Sequence, residues 1–435
     1  MLNLTPMYDL AIIGAGWAGF NAALRAKELG LKVCLIDSHQ IGGTCLNYGC
    51  IPTKTLIACA KIFSIAKRSS DFGIEVDNPR LNLATIQEKK NKVISHLAQG
   101  MQSKLSGIDF INSRAQIIST QEIKVDGRLI SAKFILIASG SSAVELPDLK
   151  FDGKKIISSN EALALSEIPK SLLVVGGGVI GCEFASLFSI LGSQVTIAEK
   201  MPCLLPTEDR DVARKIEVIF NKKGIKVVTN ADISSFNLEN YSKVLVCVGR
   251  APLTLGLGLE DLGVELKNKR IAVDEYLKSS RDNIYAAGDC TAKVMLAHYA
   301  AYQGVMAVNN MFSDKRQKAD NLVVPVCIFT EPQIASVGLN QEGALGAGLK
   351  IKVHKFDFRA SAMARIIDEV DGFVKIISNQ ENGQIIGASI IGPQATELIS
   401  TLVVAISAGL TINQVRGMIF AHPTFSECLH ETLKN

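Results

Sequence analysis

The sequence predicts an α/β protein with two βαβ units in series, followed by an α+β domain that has no glycine-rich loop. Three observations carry this: a strand–glycine turn–helix–strand pattern that occurs twice, a constant internal spacing within it, and a change of pattern from about residue 321. At 435 residues, 48% of them apolar, the chain exceeds what one hydrophobic core supports and fits several domains.

The first unit begins with the apolar run Asp9–Gly14, continues with a helical pattern over Ala18–Leu29 and closes with a second apolar run, Lys32–Asp37. Two parallel strands joined by a helix need about this much chain. The second unit repeats the order, with a strand over Ser171–Gly176, a helix over Val179–Leu191 and a strand over Gln194–Glu199.

The spacing makes the repeat specific. Gly14, Gly16 and Gly19 precede Asp37, and Gly176, Gly178 and Gly181 precede Glu199; from 14 to 37 and from 176 to 199 there are 23 positions in each case. All four positions therefore repeat with one offset, from 14 to 176, of 162. A single G-x-G-x-x-G is weak evidence and can be a packing turn, but each copy here follows a strand, opens a helix and has its carboxylate at the end of the next strand. The first two glycines let the backbone turn and approach a pyrophosphate, and the third lets helix and strand pack closely. Unpaired N–H groups at the helix start attract the phosphates. Asp37 and Glu199 can accept a hydrogen bond from a ribose 2′-hydroxyl. Two dinucleotide sites result. A carboxylate at the second repels a 2′-phosphate, which favours NAD over NADP there, although Lys200 lies next to Glu199.

Further along, the two copies diverge. Between Gly107 and Gly140 two extra β-like runs, Ala115–Ser119 and Glu122–Val125, are expected; between Gly224 and Gly249 a polar stretch, Ser234–Ser242, replaces them, so the second unit is a trimmed version of the first. The last domain is expected to hold strands over Val323–Phe329, Lys352–Phe358, Phe373–Ser378 and Gln384–Ile391 and a helix over Glu397–Ala408.

A formal net charge of +4 with scattered Lys and Arg offers no stripe for nucleic acid, and Lys89, Lys90 and Lys92 are read as a solvated helix face. Met1–Asp9 has neither a basic n-region nor a cleavage site. Tyr8–Ala26 and Leu398–Ile412 are too interrupted or too short to span a bilayer, so no membrane is expected. The ten cysteines are mostly single and inside apolar runs, which fits reduced thiols and a cytoplasmic setting.

Cys45 and Cys50 are the exception. They stand in Gly42-Gly43-Thr44-Cys45-Leu46-Asn47-Tyr48-Gly49-Cys50-Ile51-Pro52-Thr53-Lys54, after a turn and at the start of a helical run. Pro52 suits a first helical turn. A thiol at a helix start is expected to have a lowered pKa, and Lys54 lies one turn beyond Cys50 on the same face. A redox pair fits best. A zinc site lacks a second pair of ligands nearby, so no metal is expected, and inert thiols remain as the third reading.

On these residues the chain resembles, over essentially its whole length, the dihydrolipoamide dehydrogenase branch of the flavoprotein disulfide reductase family, which also holds glutathione and mercuric reductases; Gly42–Lys54 is the most specific part. The resemblance implies a glutathione-reductase-like fold with two Rossmann-like domains for FAD and NAD and a C-terminal α+β dimerisation domain. The expected divisions are 1–145 for FAD, 146–269 for NAD, a return to the FAD domain over 270–320, and 321–435 for the interface domain. It implies that the Gly14 loop and Asp37 hold the ADP half of FAD, with Gly43, Thr44 and Gly140 also at the cofactor. Gly288-Asp289 would be the second FAD motif, followed by Ala297 in Met295-Leu296-Ala297-His298. Gly176, Gly178, Gly181, Glu199, Gly249 and Arg250 would serve NAD. Cys45 would exchange with substrate and Cys50 would form a charge-transfer pair with the flavin, with Lys54 near its reactive nitrogen and paired with Glu183.

His422-Pro423-Thr424-Phe425-Ser426-Glu427 matches the family's catalytic-base motif, in which His422 is the base and Glu427 its orienting carboxylate. In the family this His reaches the cysteine pair of the other subunit, so an obligate homodimer is implied, with a cis His422–Pro423 bond allowed by Pro. His430 lacks that context. Asp37 stands where Glu is more usual, and the tail carries no vicinal cysteine pair of the mercuric-reductase kind, since Cys428 stands alone. The implied activity is oxidation of dihydrolipoamide through Cys45–Cys50 and FAD to reduce NAD, in partnership with the lipoyl-bearing acyltransferase of a 2-oxo acid dehydrogenase complex. The alternatives are an NAD(P)H-dependent reductase of another disulfide or of mercuric ion, a diaphorase-type flavoprotein, and a non-catalytic scaffold subunit.

Overall fold

The computed structural model describes residues 7–291, 294–319 and 323–434. The expected junction at 320 and 321 and the stretch Met1–Pro6 lie outside the described residues. The chain divides into two compact units. The first takes 1–56, 82–144 and 249–321, and the second 57–81, 145–248 and 322–435. The chain thus re-enters the first unit at Gly249, where the sequence placed the return at 270.

The first unit opens with β1 (Tyr8–Ile13), α1 (Trp17–Glu28) and β2 (Val33–Asp37), followed by α2 (Gly43–Tyr48) and the start of α3 (Cys50–Lys67). It continues with α4 (Leu83–Lys104), β3 (Asp109–Asn112), β4 (Ala115–Ser119), β5 (Glu122–Val125) and β6 (Arg128–Ile137). The sheet order is β3-β2-β1-β6-β5-β4, with the strand Ile284–Ala286 also on β6. β6 is long enough to serve two pairings. Arg128–Ser131 completes the antiparallel hairpin with β5, and Ala132–Ile137 runs parallel to β1. The parallel strands are apolar on both faces because both are covered, which is why Leu10, Ile12, Leu35 and Ile36 are fully buried. α1 packs on the helix Ala297–Phe312 so closely that a Cβ on Gly304 would lie 2.1 Å from the Ala18 carbonyl oxygen. α4 presents Lys89 and Lys92 to solvent, but Lys90 is buried and donates to Gln87, contrary to the expected solvated face.

The second unit holds a five-stranded parallel sheet in the order Lys226–Val228, Gln194–Ala198, Ser171–Val175, Lys243–Val246, Ile156–Ile157. Between Val228 and Lys243 there are only two short 3-10 turns, Ile233–Ser235 and Leu238–Asn240, where the first unit has its hairpin. Its other sheet is antiparallel, in the order Val326–Ile328, Gln333–Gly338, Ile385–Gly392, Phe373–Asn379, Ile351–Asp357, and the helix Ala395–Ser407 packs on it. The first of these strands is shorter than the expected Val323–Phe329, because Pro325 has no N–H for a ladder and pairing starts beyond it.

Candidate active site and nucleotide loops

The two glycine loops share the same backbone turn and the same carboxylate-to-amide bonds. Gly14 and Gly176 have φ of +108° and +104°, a region L side chains rarely enter, and a Cβ on either would strike a carbonyl oxygen, Ala138 at 2.1 Å or Cys247 at 2.5 Å. Asp37 accepts the Ala15 N–H at 2.7 Å and the His39 N–H at 2.8 Å. Glu199 accepts the Gly177 N–H and, at 2.6 Å, the Met201 N–H. Each carboxylate thus ties the glycine turn to the strand end, and its remaining lone pairs can accept from a ligand.

Both loops fit a dinucleotide. The helices starting at Trp17 and Val179 have glycine N-caps, Gly16 and Gly178, and no side chain caps their first N–H groups. A Cβ on Gly178 would meet nothing within 4 Å, so the backbone stands open there. Burial pushes the nearby Cys182 and Cys247 thiols up, which keeps them protonated and inert beside the second loop.

The first loop adjoins the cysteine pair. Gly42 donates to the Ala15 carbonyl at 2.9 Å, and a Cβ on Gly43 would lie 2.7 Å from Gly16 Cα, so α2 starts against the start of α1. α2 and α3 meet at Gly49, whose carbonyl accepts both the Thr53 N–H at 3.1 Å and the Thr53 hydroxyl at 2.6 Å. This turn brings Cys45 in α2 and Cys50 at the head of α3 within hydrogen-bonding reach, as free thiols. Pro52 falls in the first turn of α3, as its missing N–H requires.

In this dithiol form the Cys45 thiol is pushed above its ordinary range. Its hydrogen bond with Cys50 raises it first, and burial adds to that; only the Trp17 indole and Lys54 act in the opposite direction. Cys45 is half-buried and Cys50 exposed.

Around the pair, Arg250 donates to Ser141 Oγ at 2.8 Å, to the Ser141 carbonyl at 2.6 Å and to Thr44 Oγ1 at 3.5 Å. The Ser141 hydroxyl donates in turn to Asp289 at 2.5 Å. Arg250, expected at NAD with Gly249, therefore hydrogen-bonds to Thr44 and Ser141 of its own unit, and reaches Asp289 through the Ser141 hydroxyl. Gly288 has φ +78° and donates to Gln303 Oε1 at 2.8 Å, Gly140 has φ +76°, and Ala297 heads the helix that packs on α1. Trp17, Ser141 and Gln303 escaped the sequence reading. Only Trp17 carried a signal, as the one tryptophan of the chain inside a glycine motif.

In the second unit Glu183 is buried and accepts the Phe329 N–H at 2.9 Å. His422 precedes a cis Pro423, and its Nδ1 lies 2.8 Å from Glu427 Oε1, while Glu427 Oε2 accepts the Thr424 N–H at 2.9 Å. These contacts, the Thr424 amide first, hold the Glu427 carboxyl below its usual range. The His422 side chain is 73% exposed and free to meet a substrate on its other nitrogen. His430 bonds to the Arg416 carbonyl at 2.9 Å and stacks on Phe420, a structural role.

The comparisons agree with this geometry. Residues 8–304 match the pyridine nucleotide-disulphide oxidoreductase family and 324–433 its dimerisation domain. The chain is 40% identical over 447 residues to a dihydrolipoyl dehydrogenase of Bacillus subtilis (strain 168), covering 98% of this chain and 97% of the relative. It is 38% identical to that of Chlamydia pneumoniae, covering 98% and 96%. Among solved structures it is similar to LpdA from Mycobacterium tuberculosis, with TM-score 0.90, 28% identity and 98% of both chains covered. It is also similar to the HOCl-induced flavoprotein disulfide reductase RclA from Escherichia coli, with TM-score 0.88, 29% identity and coverage of 98% and 99%. With a doubled glycine loop, a cysteine pair against the first of them and matches spanning both parts of the chain, the chain belongs to the pyridine nucleotide-disulphide oxidoreductase family.

Proposed function

We propose that the chain is a dihydrolipoyl dehydrogenase, oxidising a dihydrolipoyl dithiol to the cyclic disulfide with reduction of NAD. The observation that carries this is the Cys45–Cys50 dithiol, brought together across Gly49 and set against the first glycine loop with Lys54 beside it. The relatives at 34–40% identity that bear this name support it.

The cofactors are FAD and NAD. The Gly14 loop with Asp37, Gly43, Thr44, Gly140, Asp289 and Ala297 would hold FAD, and the Gly176 loop with Glu199 would hold NAD. FAD supplies the carrier that takes an electron pair from the cysteines and makes it available to NAD. The chain's own residues do the thiol chemistry. A dihydrolipoyl thiolate attacks Cys45 of the oxidised pair, and the Cys45–Cys50 bond breaks as a mixed disulfide forms. The second dihydrolipoyl sulfur then displaces Cys45, which closes the lipoyl ring and leaves two protein thiols. Two electrons have moved to the pair, and the substrate's two protons have left. His422, oriented by Glu427, takes the proton from the attacking thiol. Lys54, one turn beyond Cys50, keeps positive charge beside the thiolate.

Homodimerisation belongs to the same reading, with His422 of one copy serving the cysteine pair of another. It is supported by the family's dimerisation domain over 324–433 and by apolar Met418 and Ile419 exposed just before His422. The helical stretch Gly43–Lys67 is long and apolar enough to cross a membrane, yet it carries the redox pair, and its exposed Ile62 and Ile65 suit a protein interface equally. A lipoyl-bearing acyltransferase as partner and a cytoplasmic setting, which the singly spaced cysteines suit, complete the proposal.

The test is an anaerobic titration of the FAD-loaded protein with dihydrolipoamide, followed by NAD. One NADH per dihydrolipoamide, lost in Cys45→Ser, is the expected result. A flavin that NADH reduces but dihydrolipoamide leaves unchanged would move the activity to another disulfide.

A further inference from the structure

The chain has one tryptophan, and it stands at a chemically consequential place. Trp17 is the first residue of α1, directly after Gly16, and α2 with Cys45 starts against that same turn. The indole Nε1 is buried, and no described residue closes a hydrogen bond with it. An indole nitrogen is a donor only, so it cannot be satisfied by rearranging as an acceptor. Set at the turn from which α2 and Cys45 start, it acts to lower the Cys45 thiol, against the neighbouring Cys50 which raises it. A neutral thiol is a weak acceptor, whereas a thiolate is a strong one, and donors to ionised groups form the shorter and stronger bonds. The donor is therefore poised for the charged state of the sulfur.

We propose that the Trp17 indole N–H is the hydrogen-bond donor that stabilises the thiolate of Cys45 and holds its sulfur in place during thiol–disulfide exchange. This rests on the reading of Cys45 as the exchanging thiol. No electron moves in the step. The Cys45 S–H bond breaks, its proton leaves to the base or to solvent, and the N–H···S bond forms. The other charged groups facing the pair are Lys54 on α3 and Arg250, which bonds to Thr44 and has Asp289 behind it. Lys54 and Arg250 supply charge to the region; Trp17 supplies direction to one atom.

The test measures the pH dependence of Cys45 alkylation by iodoacetamide in the FAD-loaded, two-electron-reduced protein, with the labelled peptides identified by mass. Trp17→Phe keeps an aromatic ring without the N–H. Because there is one tryptophan, biosynthetic replacement by the benzothiophene analogue removes that single N–H with the shape unchanged, which covers the case in which Trp17→Phe fails to fold. The expected result is a Cys45 midpoint about one pH unit higher in both, a roughly tenfold loss of thiolate below the midpoint, with flavin content unchanged. Preferential labelling of Cys45 in wild type with coinciding midpoints in the analogue overturns the Trp17 role. A lowered flavin content with an unmoved midpoint does so too, and assigns the N–H to the flavin. Slower labelling of Cys45 than of Cys50 in wild type overturns the underlying reading instead.

Discussion

The Nδ1 atom of His422 lies 2.8 Å from Oε1 of Glu427, and the other carboxylate oxygen is held by the Thr424 amide. The carboxylate is thus fixed by backbone before it fixes the imidazole. Since these contacts depress the Glu427 pKa, the charge persists as pH falls through the usual carboxylate range and is lost only below it. Glu427→Gln keeps an acceptor but removes the charge. It is expected to lower kcat with dihydrolipoamide by about tenfold to a hundredfold, while turnover with an artificial electron acceptor of the flavin stays near wild type. Equal losses in both assays would show that Glu427 acts through folding.

Lys375 is buried in the antiparallel sheet of the second unit and bonds to Asp209 at 2.9 Å and Asp211 at 3.1 Å. Asp209 is itself the N-cap of the helix Arg210–Lys222, accepting the Asp211 N–H at 2.9 Å. Lys375→Met leaves a buried carboxylate without its cation, a loss of about 3–5 kcal/mol. The double variant Lys375→Met/Asp209→Asn keeps the cap and removes the charge, so it should recover most of that loss. Urea denaturation of the three proteins decides it, and a double variant as unstable as the single one would refute the pairing argument.

Glu208, beside that pair, is buried and has one carboxylate oxygen without a hydrogen-bond partner among the described residues. Desolvation raises its pKa, with Asp209 adding to the effect. A raised acid favours the folded state while protonated. Below about pH 4.5, its ordinary value, both states hold the proton and there is no penalty. As pH rises, the unfolded chain ionises first and stability falls until the folded pKa is passed. Glu208→Gln should therefore be more stable than wild type at pH 7 by about 1–2 kcal/mol, with the gain shrinking towards pH 4. Thermal melts at the two pH values test it; a gain that is constant with pH would remove Glu208 ionisation as the cause.

Local periodicity made the supersecondary level readable. The helix Val179–Leu191 and the strands Ala115–Ser119 and Glu122–Val125 have the bounds their patterns predict. The glycine–carboxylate spacing was legible because each function depends on a few residues fixed near one another in sequence. What depends on distant partners was not. Lys375 reads as an ordinary lysine in a strand until Asp209, 166 positions away, is brought to it. Lys90 cannot be told from Lys89 and Lys92 by spacing, and Arg250 joins Ser141 and Thr44 only once the chain has re-entered the first unit.

The repeat itself yields the sharpest separation of roles. Asp37 and Glu199 hold their loops through equivalent amides, Ala15 and His39 in one case and Gly177 and Met201 in the other. Removing either carboxylate should loosen one loop and leave its counterpart intact, because each set of bonds is confined to its own βαβ unit. Asp37→Ala is expected to release flavin, seen as a fall in visible absorbance relative to protein on gel filtration. Glu199→Ala should keep its flavin and its reduction by dihydrolipoamide while KM for NAD rises about tenfold, the effect of losing roughly 1.4 kcal/mol of binding. The crossed outcome, flavin loss from Glu199→Ala and a changed KM for NAD alone from Asp37→Ala, would reverse the assignment of the two sites. A loss of both properties in either variant would mean that the loops are not independent, and the paired hydrogen bonds would then be a feature of the fold rather than of two separate binding sites.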